Sequence, residues 1–470
     1  MKKRIVLPLL NFVIIALLIV SCEKEISLDP ENVLQVNNVG LREGVFVRRY
    51  KLTNDYAKHK EYTPEILKSF IKEKLESDYL FLADAYALGL EKDNVIQTKI
   101  HDYRVNLIAG NNTVFFENLE IPKDTLQKFY EEKEELYTID LVQANSYSMA
   151  DSMYKYLLSG KNIVPSTQDM GLRFPQFYQH NLTYGEILHP ILSQKLIHMK
   201  IGEVCHPVFT NPTWSVMRLN KKTQNKNLKS YDKMLTDLVQ QMQVILKYKD
   251  LTKLIDELKV KYPITINEKF YPVMISAYKF RNGQGWIDMK EISQADLNGI
   301  FIKIVNDEIS LYNFIISFNS SMQLAGLPQL KKEDLDQFVE NYCTQNLLYL
   351  DGLEKGADQN ALVKDKLINK EHRFLLTKYL NEEIGKKAIV TDDAAINYYN
   401  DNRDKWKADY ETIEKTVKQA LRKKLIQDRR EELINKSLKK YKVIFNEELL
   451  KRLADQFTEE KKEKSAKITS

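Results

Sequence analysis

The sequence predicts a mainly helical α+β protein in which a helical segment occurs twice and a small sheet-containing domain interrupts the first copy. Glycine (15) and proline (12) are scarce among the 470 residues, while hydrophobic residues reach 43% and charged residues 29%, as is typical of a globular protein rich in helix. Apolar residues recur with three-and-four spacing over long stretches, which indicates amphipathic helices. Three pairs of segments also match in the same order, and a chain of this length is expected to form several domains.

The first 22 residues predict export and a lipid anchor. The cationic start "MKKR" precedes the apolar stretch "IVLPLLNFVIIALLIV", which is shorter than the roughly 18 to 20 residues of a spanning helix, so residues 1–21 read as a signal peptide. The stretch ends in "IVSC", which resembles the cleavage box of bacterial lipoproteins. The resemblance implies that Cys22 carries the lipid and that the protein lies in the cell envelope, on the periplasmic face and at the outer rather than the inner membrane. An ordinary signal peptide beside a coincidental cysteine is the alternative.

Residues 22–60 are expected to form a tether and N-terminal strands, with a strand pair around "VLQVNNVGLREGVFVRRYKL". Helices begin at "TPEIL", where Thr63 suits an N-cap and Pro64 the first helical position. The first helical lobe is predicted over residues 61–132 and 223–280.

The second helical lobe is predicted over residues 281–456, and the repeat is the basis for that prediction. Each copy has a long helix that ends at a glycine, as a left-handed helix cap requires. The charged stretch from residue 457 lacks obvious core residues, so a disordered tail is expected over 457–470. The matching pairs are "GLEKDNVIQTKI" (89–100) with "GADQNALVKDKL" (356–367), "IPKDTLQKFY" (121–130) with "VTDDAAINYY" (390–399), and "LTKLIDELKVKYPITINEKF" (251–270) with "REELINKSLKKYKVIFNEEL" (430–449).

About ninety residues interrupt the first copy, and residues 133–222 are predicted to be a separate domain. Its pattern is strand, helices, strand, helix and a closing hairpin, carried by "YTIDLVQA", "DMGL" and "KIGEVCHPVFT…TWSVMRL". This domain resembles a parvulin-type peptidyl-prolyl cis-trans isomerase (rotamase), with the order βα3βαβ2. The flanking helical segments resemble the chaperone lobes of SurA/PrsA-type periplasmic foldases, whose helical lobe a parvulin domain interrupts.

The parvulin resemblance implies a pair of facing histidines, and neither is present. The first should fall at Leu141 and the second at Ser215, and no histidine lies nearby on either strand. A peptide-binding cleft remains expected at Ile187, Leu192 and Trp214, with plain core packing as the alternative. Because twisting a prolyl amide requires polar groups placed around it, isomerase activity is expected to be weak or lost.

The sequence argues against cofactors, metals and nucleic acid. The net charge of +5 is spread along the chain without a basic stripe, and no phosphate-binding loop for a nucleotide occurs. Cys205 and Cys343 are expected to be isolated buried thiols, although a disulfide between them stays open. Four histidines, His180, His189, His198 and His206, lack metal-ligand spacing, and we expect them at turn and surface positions. As an alternative, His189, His198 and His206 are candidates to replace the two missing catalytic histidines.

The resemblance implies a chaperone that binds unfolded or partly folded exported proteins without ATP. Phe115 and Phe116 follow the polar "GNN" and are the best candidates for client contact. A catalytically active prolyl isomerase and a scaffold subunit of an envelope machine are the alternatives. Further candidate client-binding aromatics are Tyr79, Phe81, Tyr86, Tyr342, Tyr349, Phe374 and Tyr379.

Overall fold

The structure is a computed structural model that describes residues 28–112, 120–164, 175–186, 189–210, 213–320 and 327–469. The chain divides into two compact units, which comprise the described residues within 28–93 and 368–469 and the described residues within 94–367. In these stretches no helix has both the length and the apolarity to cross a membrane. The predicted signal peptide and Cys22 lie outside them.

Helices make up most of the described chain, and the prediction of a mainly helical α+β fold is confirmed. The strands are β1 (Asn32–Val36), β2 (Val39–Arg42), β3 (Glu135–Ala144), β4 (Gln176–Leu182), β5 (Val208–Phe209), β6 (Trp214–Gln224), β7 (Ile264–Ile266), β8 (Tyr278–Arg281), β9 (Gln284–Ile287), β10 (Ile300–Ile304), β11 (Asp307–Ser310) and β12 (Val443–Phe445). The helices are α1 (Glu43–Lys51), α2 (Asn54–Lys58), α3 (Pro64–Lys74), α4 (Glu76–Ala87), α5 (Asn94–Asn112), α6 (Lys123–Glu131), α7 (Tyr147–Leu158), α8 (Pro190–Leu196), α9 (Tyr231–Lys261), α10 (Tyr271–Ser276), α11 (Gln294–Leu297), α12 (Leu311–Asn319), α13 (Lys332–Glu354), α14 (Ala361–Tyr379), α15 (Asp392–Asp401), α16 (Tyr410–Lys440) and α17 (Glu447–Thr469).

The N-terminal segment is a hairpin followed by helices, whereas a tether and a strand pair extending over "VLQVNNVGLREGVFVRRYKL" were expected. Strands β1 and β2 form the hairpin, but "EGVFVRRYK" is helix α1. Its buried residues Val45, Phe46 and Tyr50 lie on one helical face. Glu43 in the first turn and basic residues in the last turn also suit the helix dipole. The expectation of strands was therefore wrong for this part.

The predicted repeat is confirmed by local geometry at matching positions. Gly89 and Gly356 both adopt left-handed conformations, with φ of 71° and 72°. Each is followed by a three-residue 3-10 turn and then by a helix of 19 residues, α5 or α14. Later in each copy a helix of 31 residues, α9 or α16, ends before a short strand. The same succession of cap, turn, helix and strand thus occurs twice.

Each compact unit combines the first half of one copy with the second half of the other. Strand β12, late in the second copy, pairs with β1 at the start of the first, and β7 pairs with β10 in the same antiparallel manner. The boundaries between units fall after Asp93 and after Leu367, close to matching points in the two copies. The predicted lobes (61–132 with 223–280, and 281–456) assumed that each copy folds on itself, and the structure corrects this division. Pairing between strands that are distant in the sequence determines which segments make up each unit.

Helix α17 contributes to the core of the first unit. Phe457 is fully buried, with its ring centroid 5.6 Å from those of Tyr56 and Tyr62 and 5.7 Å from that of Tyr50. One turn later, Glu460 forms an ion pair with Lys51 at 2.7 Å. The predicted disordered tail from residue 457 is therefore wrong for its first turns, because a single aromatic residue in a charged stretch anchors the helix.

The inserted segment forms a four-stranded antiparallel sheet in the order β4-β3-β6-β5. This sheet extends from Glu135 to Gln224, compared with the predicted domain over 133–222. Helix α7 packs on one face and helix α8 on the other. The described elements follow the predicted order of strand, helix, strand, helix and hairpin, with α7 between β3 and β4 where three helices were expected; residues 165–174 lie outside the described chain.

A buried lysine fastens this inserted module to the rest of its unit. Lys133 is fully buried just before β3. Its Nζ donates hydrogen bonds to the carbonyl oxygen of Tyr184 and to Oε1 of Gln241 on α9, and lies 4.6 Å from the centre of the Phe129 ring. Burial lowers the pKa of Lys133 to about 8, against the opposing effect of nearby carboxylates. The buried Lys133 side chain therefore contacts both α6 and α9 at the point where the module joins the rest of its unit.

Candidate functional site

The two faces of the inserted sheet separate residues that the sequence analysis grouped into one cleft. Leu141 and Leu192 belong to the core on the α8 side, together with Met217. Trp214 packs with Val142 and Val216 on the α7 side. The predicted cleft of Ile187, Leu192 and Trp214 is thus corrected for its last two members, and Ile187 lies outside the described residues. The register of β3 against β6, which the sequence does not reveal, decides the faces.

The two positions that should hold catalytic histidines are buried. Leu141 is 5% exposed and lies opposite Met217 on β6. Ser215 is fully buried, and its Oγ is 2.8 Å from Oγ1 of Thr210, a hydrogen bond in which either hydroxyl can be the donor. Neither side chain presents a polar group to solvent. An apolar side chain and an internally bonded hydroxyl offer nothing that stabilises a twisted amide.

A buried ion pair crosses the same two strands. Asp140 and Arg218 are directly opposite each other and both are buried. Nε of Arg218 donates to Oδ2 of Asp140 at 3.1 Å, and its Nη1 donates to the carbonyl oxygen of Lys161 at 2.9 Å. Nε2 of Gln179 on β4 donates to Oδ1 of Asp140 at 3.0 Å. Because these contacts occupy both carboxylate oxygens, the pair braces three strands and the loop after α7.

The histidines of the module lie on separate elements. His180 on β4 stacks on Tyr178, with ring centroids 5.7 Å apart. Nε2 of His206 is 3.2 Å from the hydroxyl of Tyr154. His189 caps α8 by accepting from the backbone N–H of Ile191 at 3.4 Å, and burial lowers the pKa of His189. Among the described residues, these contacts bring no two imidazoles of the module together, and His189, His198 and His206 therefore gain no support as substitutes.

Both described cysteines are free thiols. Sγ of Cys205 accepts a hydrogen bond from the backbone N–H of Met217 at 3.2 Å, and burial raises the pKa of the Cys205 thiol. Burial likewise raises the pKa of Cys343 to about 12. Because the thiolate is the reactive form, these thiols are poor nucleophiles. The described residues also contain no group of three or more His, Cys, Asp or Glu side chains that could hold a metal.

The α7 side of the module carries a surface of half-buried aromatic and methionine side chains. The Trp214 ring centroid lies 5.0 Å from that of Tyr147 and 5.4 Å from that of Phe209, both in edge contact. Half-buried methionines of α7 and an aromatic of β4 continue this surface. Thioether and aromatic side chains adapt to varied apolar partners. We call this the Trp214 surface; its members are Tyr147, Met149, Met153, Phe177, Phe209 and Trp214.

The remaining candidates divide between the core, the surface and the part of the chain not described. Phe115 and Phe116 lie outside the described residues, as Cys22 does. Tyr79, Phe81 and Tyr379 are at most 3% exposed, so those three candidate client contacts belong to the core. Sequence reasoning missed the Asp140–Arg218 pair, although a charged residue in each of two apolar strands was a signal for it.

No protein-family model matches the sequence, and a search of curated proteins gives no match. Among solved structures, the chain is similar to one of the structurally related SurA-like chaperones PEB4 and Cj1289 of Campylobacter jejuni, at 17% identity over 53% of this chain and 100% of that chain, with a TM-score of 0.20. It is also similar to the foldase protein PrsA of Streptococcus pneumoniae (12% identity, 46% and 86% covered, TM-score 0.21) and to PrsA of Bacillus subtilis (13%, 47% and 86%, 0.15). TM-scores this low establish neither a shared fold nor a shared function.

Proposed function

We propose that this protein is a lipid-anchored chaperone of the bacterial cell envelope that binds unfolded exported proteins without ATP, and that its inserted module is a parvulin-like domain with little or no prolyl isomerase activity. One observation carries the proposal. The module combines the half-buried Trp214 surface, which suits varied apolar segments, with a sheet face on which both expected catalytic positions, Leu141 and Ser215, are buried and inert.

The chemistry of binding without catalysis follows from this arrangement. The barrier to rotation of a peptide bond is about 18–20 kcal/mol, and lowering it requires groups that stabilise the twisted amide more than the planar one. The Trp214 surface offers apolar and aromatic area, which stabilises both forms alike. Such a surface holds a polypeptide segment and leaves its isomerisation rate nearly unchanged.

The test uses the full mature chain and an outer-membrane protein diluted from urea. We expect a stoichiometric amount of the chain to suppress light scattering without nucleotide, and Trp214→Ala to weaken suppression several-fold. Trp406→Ala is the matched control, because Trp406 is also half-buried but lies outside the module. In a proline-limited refolding assay, we expect no acceleration. Marked acceleration would establish an active isomerase instead, and equal suppression by both variants would remove the Trp214 surface from the proposal.

The anchor is tested separately at Cys22. We expect the intact precursor to yield a chain that fractionates with outer membranes and incorporates labelled palmitate. Cys22→Ala is expected to give a soluble or uncleaved product without label. Labelling that persists in this variant would contradict the proposed lipid site.

A further inference from the structure

Two clefts occupy matching places in the two repeats. The β2 cleft, in the unit of residues 28–93 and 368–469, has a volume of about 600 Å³. The β11 cleft, in the unit of residues 94–367, has a volume of about 560 Å³. Each lies among a β-hairpin, the helix before the left-handed glycine of one copy, and the 19-residue helix that follows the left-handed glycine of the other copy. The main lining residues are Val39, Gly40, Arg42, Tyr86, Glu371 and His372 in the β2 cleft, and His101, Asp307, Glu308, Tyr342, Tyr349 and Leu353 in the β11 cleft.

The correspondence between the clefts is residue by residue at several points. Tyr86 and Leu353 each stand three residues before the left-handed glycine of their copy. The hairpin turns also match, because Asn37 and Val305 directly follow β1 and β10 with φ of 52° and 55°. Most lining side chains differ between the copies. The repeats therefore share the cleft and the strand that borders it, β2 or β11, rather than a set of side chains.

That strand is an edge strand in both clefts. The sheet orders are β12-β1-β2 and β11-β10-β7, so β2 and β11 pair with another strand on one side only within the described residues. An edge strand offers backbone N–H and C=O groups to a further strand. Addition of an extended peptide to such an edge is a recurring mode of recognition, in which main-chain bonds give affinity.

The charges in the clefts favour a basic occupant. Although the chain carries a net charge of +5, no lysine or arginine of the described residues lines the β11 cleft, whereas Asp307 and Glu308 do. Lys303, outside the lining, bridges Glu308 at 3.0 Å. The β2 cleft has carboxylates of Asp29 and Glu371 against one arginine. The half-buried rings of Tyr342 and Tyr349 in the β11 cleft add area that can hold aliphatic lysine stems.

We infer that the two clefts bind extended basic segments of client polypeptides, each added as a strand to the outer edge of β2 or β11. This inference rests on the proposed chaperone function and locates a client-binding site outside the inserted module. A single client chain engaged at both clefts would be held more tightly than at either alone, provided that its linker spans them.

The test is calorimetric titration of the full mature chain with a capped hexapeptide of alternating valine and lysine. We expect two sites per chain and affinity that falls with salt. The double variant Asp307→Lys with Glu308→Lys should lose one site or weaken it about tenfold or more. Asp256→Lys with Glu257→Lys is the matched control, because these adjacent exposed carboxylates on α9 lie outside the cleft and Glu257 is also paired with a lysine, Lys253.

A second arm needs no mutation. The same peptide with N-methyl groups on alternate residues cannot form one edge of a β-ladder, and we expect it to bind the wild-type chain at least about tenfold more weakly. Equal binding of the two peptides, or equal binding by the cleft and control variants, would overturn the inference. If the wild-type chain suppresses aggregation but binds no peptide, the cleft inference fails and the proposed function stands. If it does neither, both fail.

Discussion

Replacement of Lys133 by methionine tests how the inserted module is attached. The folded chain holds the Lys133 ammonium in a fully buried site, and burial lowers its pKa to about 8, whereas an unfolded lysine titrates near 10.4. Between these two pKa values, Lys133 is therefore protonated in the unfolded chain but mostly neutral in the folded chain. Stability conferred by this site is at its maximum above about pH 10.4 and is lost as the pH falls through about 8.

The magnitude follows from the difference between the two pKa values. Each unit is worth 1.36 kcal/mol, so the free energy of unfolding of the wild type, relative to Lys133→Met, should rise by about 3 kcal/mol between about pH 8 and about pH 10.4. Taking the difference between variants cancels the titration of tyrosines that both share. Below pH 8 the difference should be constant, since both states then carry the proton.

The assay is urea unfolding followed by fluorescence of Trp214, in a background where Trp286 and Trp406 are phenylalanine, so that the signal reports the module. Lys128→Met is the control, because Lys128 lies on α6 five residues earlier and is exposed; it should show no such rise. A flat difference between wild type and Lys133→Met across this pH range would refute the buried-ammonium account.

Three further predictions concern the fold. Arg218→Met leaves the buried Asp140 carboxylate without its cation and should destabilise the module by about 3–5 kcal/mol, measured by the same Trp214 fluorescence. Phe457→Ala removes a fully buried ring and should lower the stability of its unit by about 3–5 kcal/mol, measured by thermal unfolding. A loss below about 1 kcal/mol would show that this part of α17 is not anchored in the core. Gly89→Ala and Gly356→Ala each force an alanine into a left-handed conformation and should cost about 1 kcal/mol or more apiece; unequal losses would argue against equivalent caps.

Sequence reasoning predicted the elements that local patterns encode. The Thr63 cap was expected, and its Oγ1 accepts from the N–H of Ile66. The repeat was read from short matches and is confirmed by the paired left-handed glycines. These features depend on residues close together in the chain, where spacing and residue type largely decide the conformation.

The sequence was insufficient where distant segments decide the structure. No local pattern indicates that Leu34 of β1 lies opposite Phe445 of β12, so the exchange of halves between the copies was missed. The face assignments failed for a related reason: Leu141 lies opposite Met217 whereas Ala144 lies opposite Trp214, so Trp214 is on the sheet face opposite to that of Leu141. In a strand, a change of register by one residue moves every side chain to the other face.

The most direct test of the proposed function is light scattering from an unfolded outer-membrane protein diluted into buffer with and without the full mature chain, in the absence of nucleotide. We expect the chain at an equimolar ratio to suppress scattering strongly, while a proline-limited refolding reaction run beside it keeps its uncatalysed rate. Unchanged scattering, or refolding accelerated by catalytic amounts of the chain, would contradict the account.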